Sequence, residues 1–369
     1  MPSRIGFRLL AAAAVALPLI LAACGGGRDG DGSSAAQPPP FDASSDAFLA
    51  GRPQSRPGIG DVDRAFRRFE TTRGDLIAFI QDQAWYEDGL DDAEALFVER
   101  ALSFVADQTG GGFESLNQAS VRDKLFLHDR VKLGARTIDL LLIYEPGQDA
   151  EREMSLLRAL LPVLERLVGV QFPEAALTVV NGNYPINDFN PGGFVRIARC
   201  CVLSPFVLAH ELAHSYWSMG PSWFNEGMAD IYATLALEEL DRAPPAGWRG
   251  FSADIDSFYA ARKRIVQSGR FPELTLPRRF ARDGLYEAAD VFLLDIRAVI
   301  GAEAFAAAAR DIYTASDFGR YRLSEKRIED VFLARAPDGT QEKVMELFNK
   351  HIWGDNGEEY QRLREFEGP

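Results

Sequence analysis

From Leu9 to Ala23 the chain is an unbroken run of apolar, mostly small residues, preceded by Arg4 and Arg8 and closed by Leu21-Ala22-Ala23-Cys24. At about fifteen residues the run is shorter than the roughly twenty that cross a bilayer, so it predicts an export leader and not a span. Between Gly25 and about Gly60 the apolar pattern gives way to Gly, Ser, Asp, Ala and Pro, the composition of a disordered tether. Helix-like periodicity follows over 61–108 and 119–133, as in DRAFRRFETTRGDLIAFIQDQ, interrupted by Gly110-Gly111-Gly112. This predicts a helical amino-terminal cap.

The period changes at 136. TIDLLLIYE reads as a strand, EREMSLLRALLPVLERLVGV as a helix, AALTVVNG as a second strand, and NPGGFVRIARCCVL as an apolar edge strand. Ser204-Pro205, an N-cap residue followed by proline at the first helical position, and Gly220-Pro221 bracket a helix over about 205–218. A second helical stretch, WFNEGMADIYATLALEEL, comes after a short turn. Helical patterns resume beyond Pro244-Pro245 and run to about 353, and the acidic tail is expected to fray. The pattern divides the chain into a leader (1–23), a tether (24–60), a helical region (61–134), an α+β core (135–245) and a carboxy-terminal helical region (246–369).

Within the 205–218 helix the sequence reads His210-Glu211-Leu212-Ala213-His214. Residues i and i+4 share a helix face, so both imidazoles reach one Zn²⁺ at about 2.0–2.1 Å. Glu211 then stands beside the metal, where a carboxylate takes a proton from a zinc-bound water whose pKa is lowered towards about 7. Glu226, twelve positions past His214, completes a His₂Glu set with one open position, which marks a catalytic zinc. Asp230 lies one turn further on the same face, suited to accept the free ring N–H of a ligand histidine. The other two histidines, His128 and His351, have no ligand spacing and read as ordinary core or surface residues.

HELAHSYW, WFNEGMAD and Tyr286 in LYEAADVFLLDIRAVIGAEAFAAAARDIY together resemble the catalytic core of the aminopeptidase-N-like gluzincins, relatives of thermolysin, over about 135–355. The resemblance implies a zincin-like fold, a small sheet backing the metal helices. It also implies peptide-bond hydrolysis and, for Tyr286, sixty positions after Glu226, a hydrogen bond to the developing oxyanion. Ala288 and Ala289 stand where the family has Lys and Gly, and the alternative for Tyr286 is a plain amphipathic-helix residue. A Gly-x-Met-Glu-Asn segment, which in the aminopeptidases binds the substrate's amino terminus, is missing upstream of His210. Endopeptidase action on a peptide or protein is therefore slightly favoured, with a peptide paired along the edge strand. The alternative from another class is a non-catalytic lipoprotein with a structural zinc that binds an envelope partner.

Leu-Ala-Ala-Cys resembles the bacterial lipobox, which implies that Cys24 is lipidated and tethers the chain to the cell envelope. Gly25 after it resembles sorting to the outer membrane, facing the periplasm. Removing residues 1–23 leaves 38 basic against 54 acidic residues, a net charge of −16. Such a surface repels nucleic acid and favours neutral or basic peptides. Arg278-Arg279-Phe280 reads as a solvated helix edge. Cys200 and Cys201 are adjacent, and their default reading is two strand residues on opposite faces. Oxidation in an oxidising compartment, or a redox or zinc-capping role, remains open to them.

Overall fold

The computed structural model describes residues 73–75, 123–174, 176–182, 188–190, 194–198, 204–268, 275–282 and 286–354. The leader, Cys24, the tether and Cys200-Cys201 lie outside these residues. The described residues form an α+β arrangement. Strands β1 (Arg73–Asp75), β2 (Leu125–Leu133), β3 (Arg136–Tyr144), β4 (Ala176–Gly182), β5 (Asp188–Asn190) and β6 (Phe194–Ala198) make one sheet in the order β1-β2-β3-β4-β6-β5. β3, β4 and β6 are parallel to one another; β1, β2 and β5 pair antiparallel to their neighbours.

Helix α1 (Ala150–Val168) crosses from β3 to β4, the expected β-α-β order. Asp149 caps its first turn by accepting from Arg152 N, and Gly169 ends it in the left-handed conformation at φ 75°. Its apolar stripe, including Leu157, Leu160, Leu161 and Leu164, is fully buried.

Two expectations are corrected. The stretch 125–133 is not part of a helical cap: it is β2, hairpin-paired with β3 from Leu125↔Tyr144 to Leu133↔Arg136. The two loop residues are Gly134 and Ala135, and Gly134 takes φ 59°, the left-handed value that primed hairpin turns need. The apolar strand at 194–198 is not an edge. β6 lies between β4 and β5, because the three residues Asp188–Asn190 add a further strand outside it.

α2 (Pro205–Ala213) and α3 (Ser222–Asp241) follow the sheet. α2 is shorter than expected: His214 N still donates to His210 O, but Ser215 N and Tyr216 N donate three residues back, to Leu212 O and Ala213 O, and the chain tightens into a turn over 214–216. Ser204 occupies the N-cap position without a side-chain capping bond, and Pro205 stands at the first helical position. The remaining helices are α4 (Ile255–Gln267), α5 (Leu276–Arg282), α6 (Tyr286–Ile300), α7 (Ala302–Ala315), α8 (Glu325–Arg335) and α9 (Gln341–Phe348), the last continuing into a π-turn at Asn349–Trp353.

The α2–α3 connection is set in an aromatic core. Trp217 is fully buried and packs on Tyr232 at 5.0 Å and edge-on to Phe224 at 6.2 Å, while Tyr216 donates its hydroxyl to Val170 O at 3.0 Å. Asn225 closes the turn ahead of Glu226: its Oδ1 accepts from Gly220 N at 2.8 Å and its Nδ2 donates to Gly220 O at 2.9 Å. Aromatic burial of this kind is what gives a short connection one conformation.

Candidate metal centre

His210 and His214 leave α2 on one face, and Glu226, in the second turn of α3, reaches the same point. The Nε2 atoms of the two histidines are 3.0 Å apart, and Glu226 Oε2 lies 3.3 Å from the first and 3.4 Å from the second. Among the described residues this is the one group of three or more His, Cys, Asp or Glu with ligand atoms so close. Three ligands at zinc-bond length in tetrahedral directions stand about 3.3–3.4 Å apart, so the spacing matches a zinc ion.

The chemistry of the donor set points the same way. His210 Nδ1 faces Asp230 Oδ1 at 2.6 Å, and His214 Nδ1 faces the Trp217 carbonyl at 3.0 Å. Both partners are acceptors, so each Nδ1 carries a proton and each Nε2 is the atom left to meet a metal ion. A single proton among the two Nε2 atoms and Glu226 bridges only two of them; a zinc ion satisfies all three.

The electrostatics reflect that crowding. Burial opposes charge on His210, but Asp230 and Glu226 outweigh it and raise its pKa to about 10. Burial likewise works against the Glu226 carboxylate, and the two histidines overcome it, lowering its pKa to about 2.

Glu211 is buried, at 7 % exposure, near enough for its charge to act on His210 and on Tyr286. Tyr286 opens α6, is 43 % exposed, and stands edge-on to Phe280 at 5.8 Å between centroids. Its hydroxyl is pushed up to about 12, first by desolvation and then by the charges of Glu226, Asp230 and Glu211. The phenol keeps its proton at neutral pH and lies close enough to these carboxylates for their charges to act on it. The structure thus gathers His210, Glu211, His214, Glu226, Asp230 and Tyr286 in one neighbourhood.

Four participants are not apparent in the sequence. One is the Trp217 carbonyl that holds His214. The others are Arg262, Glu287 and Asp290. Arg262, on α4, contacts Asp230 Oδ2 at 2.9 Å, Glu287 Oε1 at 3.3 Å and Asp290 Oδ2 at 2.8 Å. Asp290 is completely buried, and burial together with the neighbouring Asp230 charge holds its carboxyl well above the usual range, against the pull of Arg262. One signal was available for Asp290: an acid inside the apolar run AADVFLL must find a partner if that face is buried.

The sequence matches no family model and no curated protein. Solved structures do resemble the fold. A two-domain M1 zinc metallopeptidase mutant with L-tryptophan bound is 16 % identical, with a TM-score of 0.50 over 63 % of this chain and 52 % of that one. An M1 zinc metallopeptidase from Deinococcus radiodurans is 17 % identical, with a TM-score of 0.49 over 61 % and 51 %. An aminopeptidase A from Legionella pneumophila, in complex with aspartic acid, is 14 % identical, with a TM-score of 0.46 over 60 % and 28 %. This chain thus spans about half the length of the M1 structures it resembles, and at these identities the likeness is one of fold.

Proposed function

We propose that the protein is a zinc-dependent metallopeptidase of gluzincin type. The observation that carries the reading is the convergence of the His210, His214 and Glu226 acceptor atoms on one point, each imidazole held from behind. Bound zinc supplies a Lewis acid and an acidified water. Every other part of the chemistry falls to the chain. Asp230 and the Trp217 carbonyl fix the imidazole tautomers and aim them. Glu211 takes the proton from the attacking water and delivers it to the leaving amine. Tyr286, kept protonated, donates its O–H to the oxygen on which charge develops, a contribution of about 3–4 kcal/mol for one well-aimed donor.

The preference for internal cleavage that the missing amine-binding segment suggested finds no support in the structural neighbours, of which one is called an aminopeptidase and another binds a free amino acid. The proposal is therefore peptide hydrolysis, with the cut position left to experiment. A non-catalytic clasp is disfavoured, because a structural zinc needs no base, whereas the buried Glu211 directly follows the ligand His210.

Lipid attachment at Cys24, and with it placement at the cell envelope, belongs to the same proposal and is supported by Leu21-Ala22-Ala23-Cys24 alone. Incorporation of labelled palmitate, lost in Cys24→Ser, checks it. For the activity, the zinc-loaded full-length chain and its Glu211→Gln variant are incubated with a mixed peptide library and the products read by mass spectrometry. Cleavage by the first and not the second is expected, and the cut sites assign endo- or exopeptidase action. No cleavage by a folded, zinc-containing chain would refute the reading.

A further inference from the structure

We infer that Arg262 is a positioning residue that locks the metal centre and the Tyr286 helix into one register. For its kinetic consequences the inference rests on the peptidase reading; for metal affinity it stands independently. Asp230 uses its two oxygens in two directions, Oδ1 to His210 Nδ1 at 2.6 Å and Oδ2 to Arg262 Nη2 at 2.9 Å. The same guanidinium sends Nη1 to Glu287 at 3.3 Å and lies with Nε 2.8 Å from Asp290. A continuous polar path therefore runs from a metal ligand on α2, through α3 and α4, to α6. It arrives at the residue next to Tyr286 and again one turn further on.

Three features separate this from an incidental ion pair. The path is largely buried, with side-chain exposures of 5 % for Asp230, 0 % for Asp290 and 20 % for Arg262, so its members are weakly screened. The Arg262 guanidinium also lies over the Phe258 ring at 4.8 Å, which fixes its plane. And Asp230 on α3 and Glu287 on α6 accept from two different nitrogens of one guanidinium, Nη2 and Nη1, a planar divergence of donors that an ammonium does not offer. Moving α6 relative to α3 breaks at least one of these contacts. Arg262 thereby ties the position of the Tyr286 hydroxyl to the same carboxylate that aims His210.

The test uses Arg262→Gln and Arg262→Lys in the full-length chain. Zinc dissociation constants are measured by competition with a chromogenic chelator, alone and combined with Asp230→Asn, and unfolding midpoints of the zinc-free forms monitor folding. Arg262→Gln is expected to weaken zinc binding about 10–100-fold, the usual consequence of losing an outer-shell partner. Arg262→Lys should recover part of that loss while remaining at least about threefold weaker than wild type, since it keeps the charge without the fork. In the Asp230→Asn background the Gln substitution should cost far less, because the path is already cut.

In peptide cleavage kcat should fall with KM within about threefold, and the fall should largely vanish in Tyr286→Phe. Zinc binding within twofold of wild type in both Arg262 variants, or losses that multiply fully with Asp230→Asn, would overturn the inference. If the Gln variant does not fold, the Lys variant decides by the same measurement. A chain that binds zinc but cleaves nothing defeats the peptidase reading and leaves the chelator competition to judge Arg262.

Discussion

Gly227 follows the ligand Glu226 and faces α6, so Gly227→Ala probes the seam between the metal helix and the Tyr286 helix. A Cβ there would stand 2.7 Å from Leu293 Cδ1, 3.2 Å from Ala289 Cβ and 3.3 Å from Ala289 C. Ordinary carbon contacts lie at about 3.5–4.0 Å, so the overlap is close to 1 Å with Leu293 and a few tenths of an ångström with Ala289. Leu293 is fully buried, which limits its escape, and the Ala289 backbone moves only with its helix. Relief therefore requires α6 to shift. Such overpacking costs about 1–3 kcal/mol, against a gain of about 1 kcal/mol from replacing glycine in a helix interior. The net expectation is a loss of about 0–2 kcal/mol, or a few degrees in Tm. Tyr286, three residues before Ala289, moves with the helix. Since an error of about 1 Å in placement costs roughly 100-fold in rate, a shift of a few tenths predicts a fall in kcat of about tenfold with KM little changed. Calorimetry of the zinc-loaded variant and steady-state peptide cleavage measure the two effects. An unchanged or raised Tm together with unchanged kcat would show that the seam has slack and that the reasoning is wrong.

His351 sits on the π-turn with its ring 5.3 Å from that of Phe292 and its Nε2 without a hydrogen-bond partner. Burial, and then the charge of Lys350, lower its pKa from 6.5 to about 4. Between those values the unfolded chain binds a proton that the folded chain refuses, so stability is full above about pH 6.5 and declines as the pH falls to 4. The decline attributable to this group is at most about 3 kcal/mol. In urea unfolding of the zinc-free protein, His351→Asn should lose that much less than wild type over the same interval, whereas parallel pH profiles would exclude the effect. Removal of zinc by a chelator should abolish cleavage and lower Tm, both restored by added zinc; free zinc at 100 times its Kd is worth about 2.7 kcal/mol. A midpoint indifferent to zinc would count against a bound metal.

How much of this was readable from the chain depends on how local each interaction is. His210 and His214 are one turn apart, and Glu226 and Asp230 are one turn apart, so each pair is fixed by helix geometry that sequence spacing expresses. The β-α-β unit was legible for the same reason, since TIDLLLIYE and AALTVVNG carry apolar runs that a buried parallel strand requires. β2 was not. Its sequence LFLHDRVKL places polar residues where a half-buried strand would alternate, because His128 and Arg130 pair across the sheet with Asp139 at 3.0 Å each. Those cross-strand partners supply what the pattern lacks. β5 was invisible because Asp-Phe-Asn has no strand signature, and missing it turned an interior strand into an apparent edge.

The site divides along the same line. Ligands and base are local, but what holds them is tertiary: Arg262 reaches Asp230 across 32 positions of sequence and Asp290 across 28. Nothing in FYAARKRIV distinguishes Arg262 from its basic neighbours until α4 is laid against α6. The buried Asp290 shows the limit most clearly. Its apolar surroundings in sequence state that a partner must exist, while its identity follows only from the packing of three helices. Positioning in this protein is therefore carried by residues whose role the fold confers, and substitutions at Arg262 or Gly227 should disturb the chemistry while leaving His210, Glu211, His214, Glu226 and Tyr286 in place.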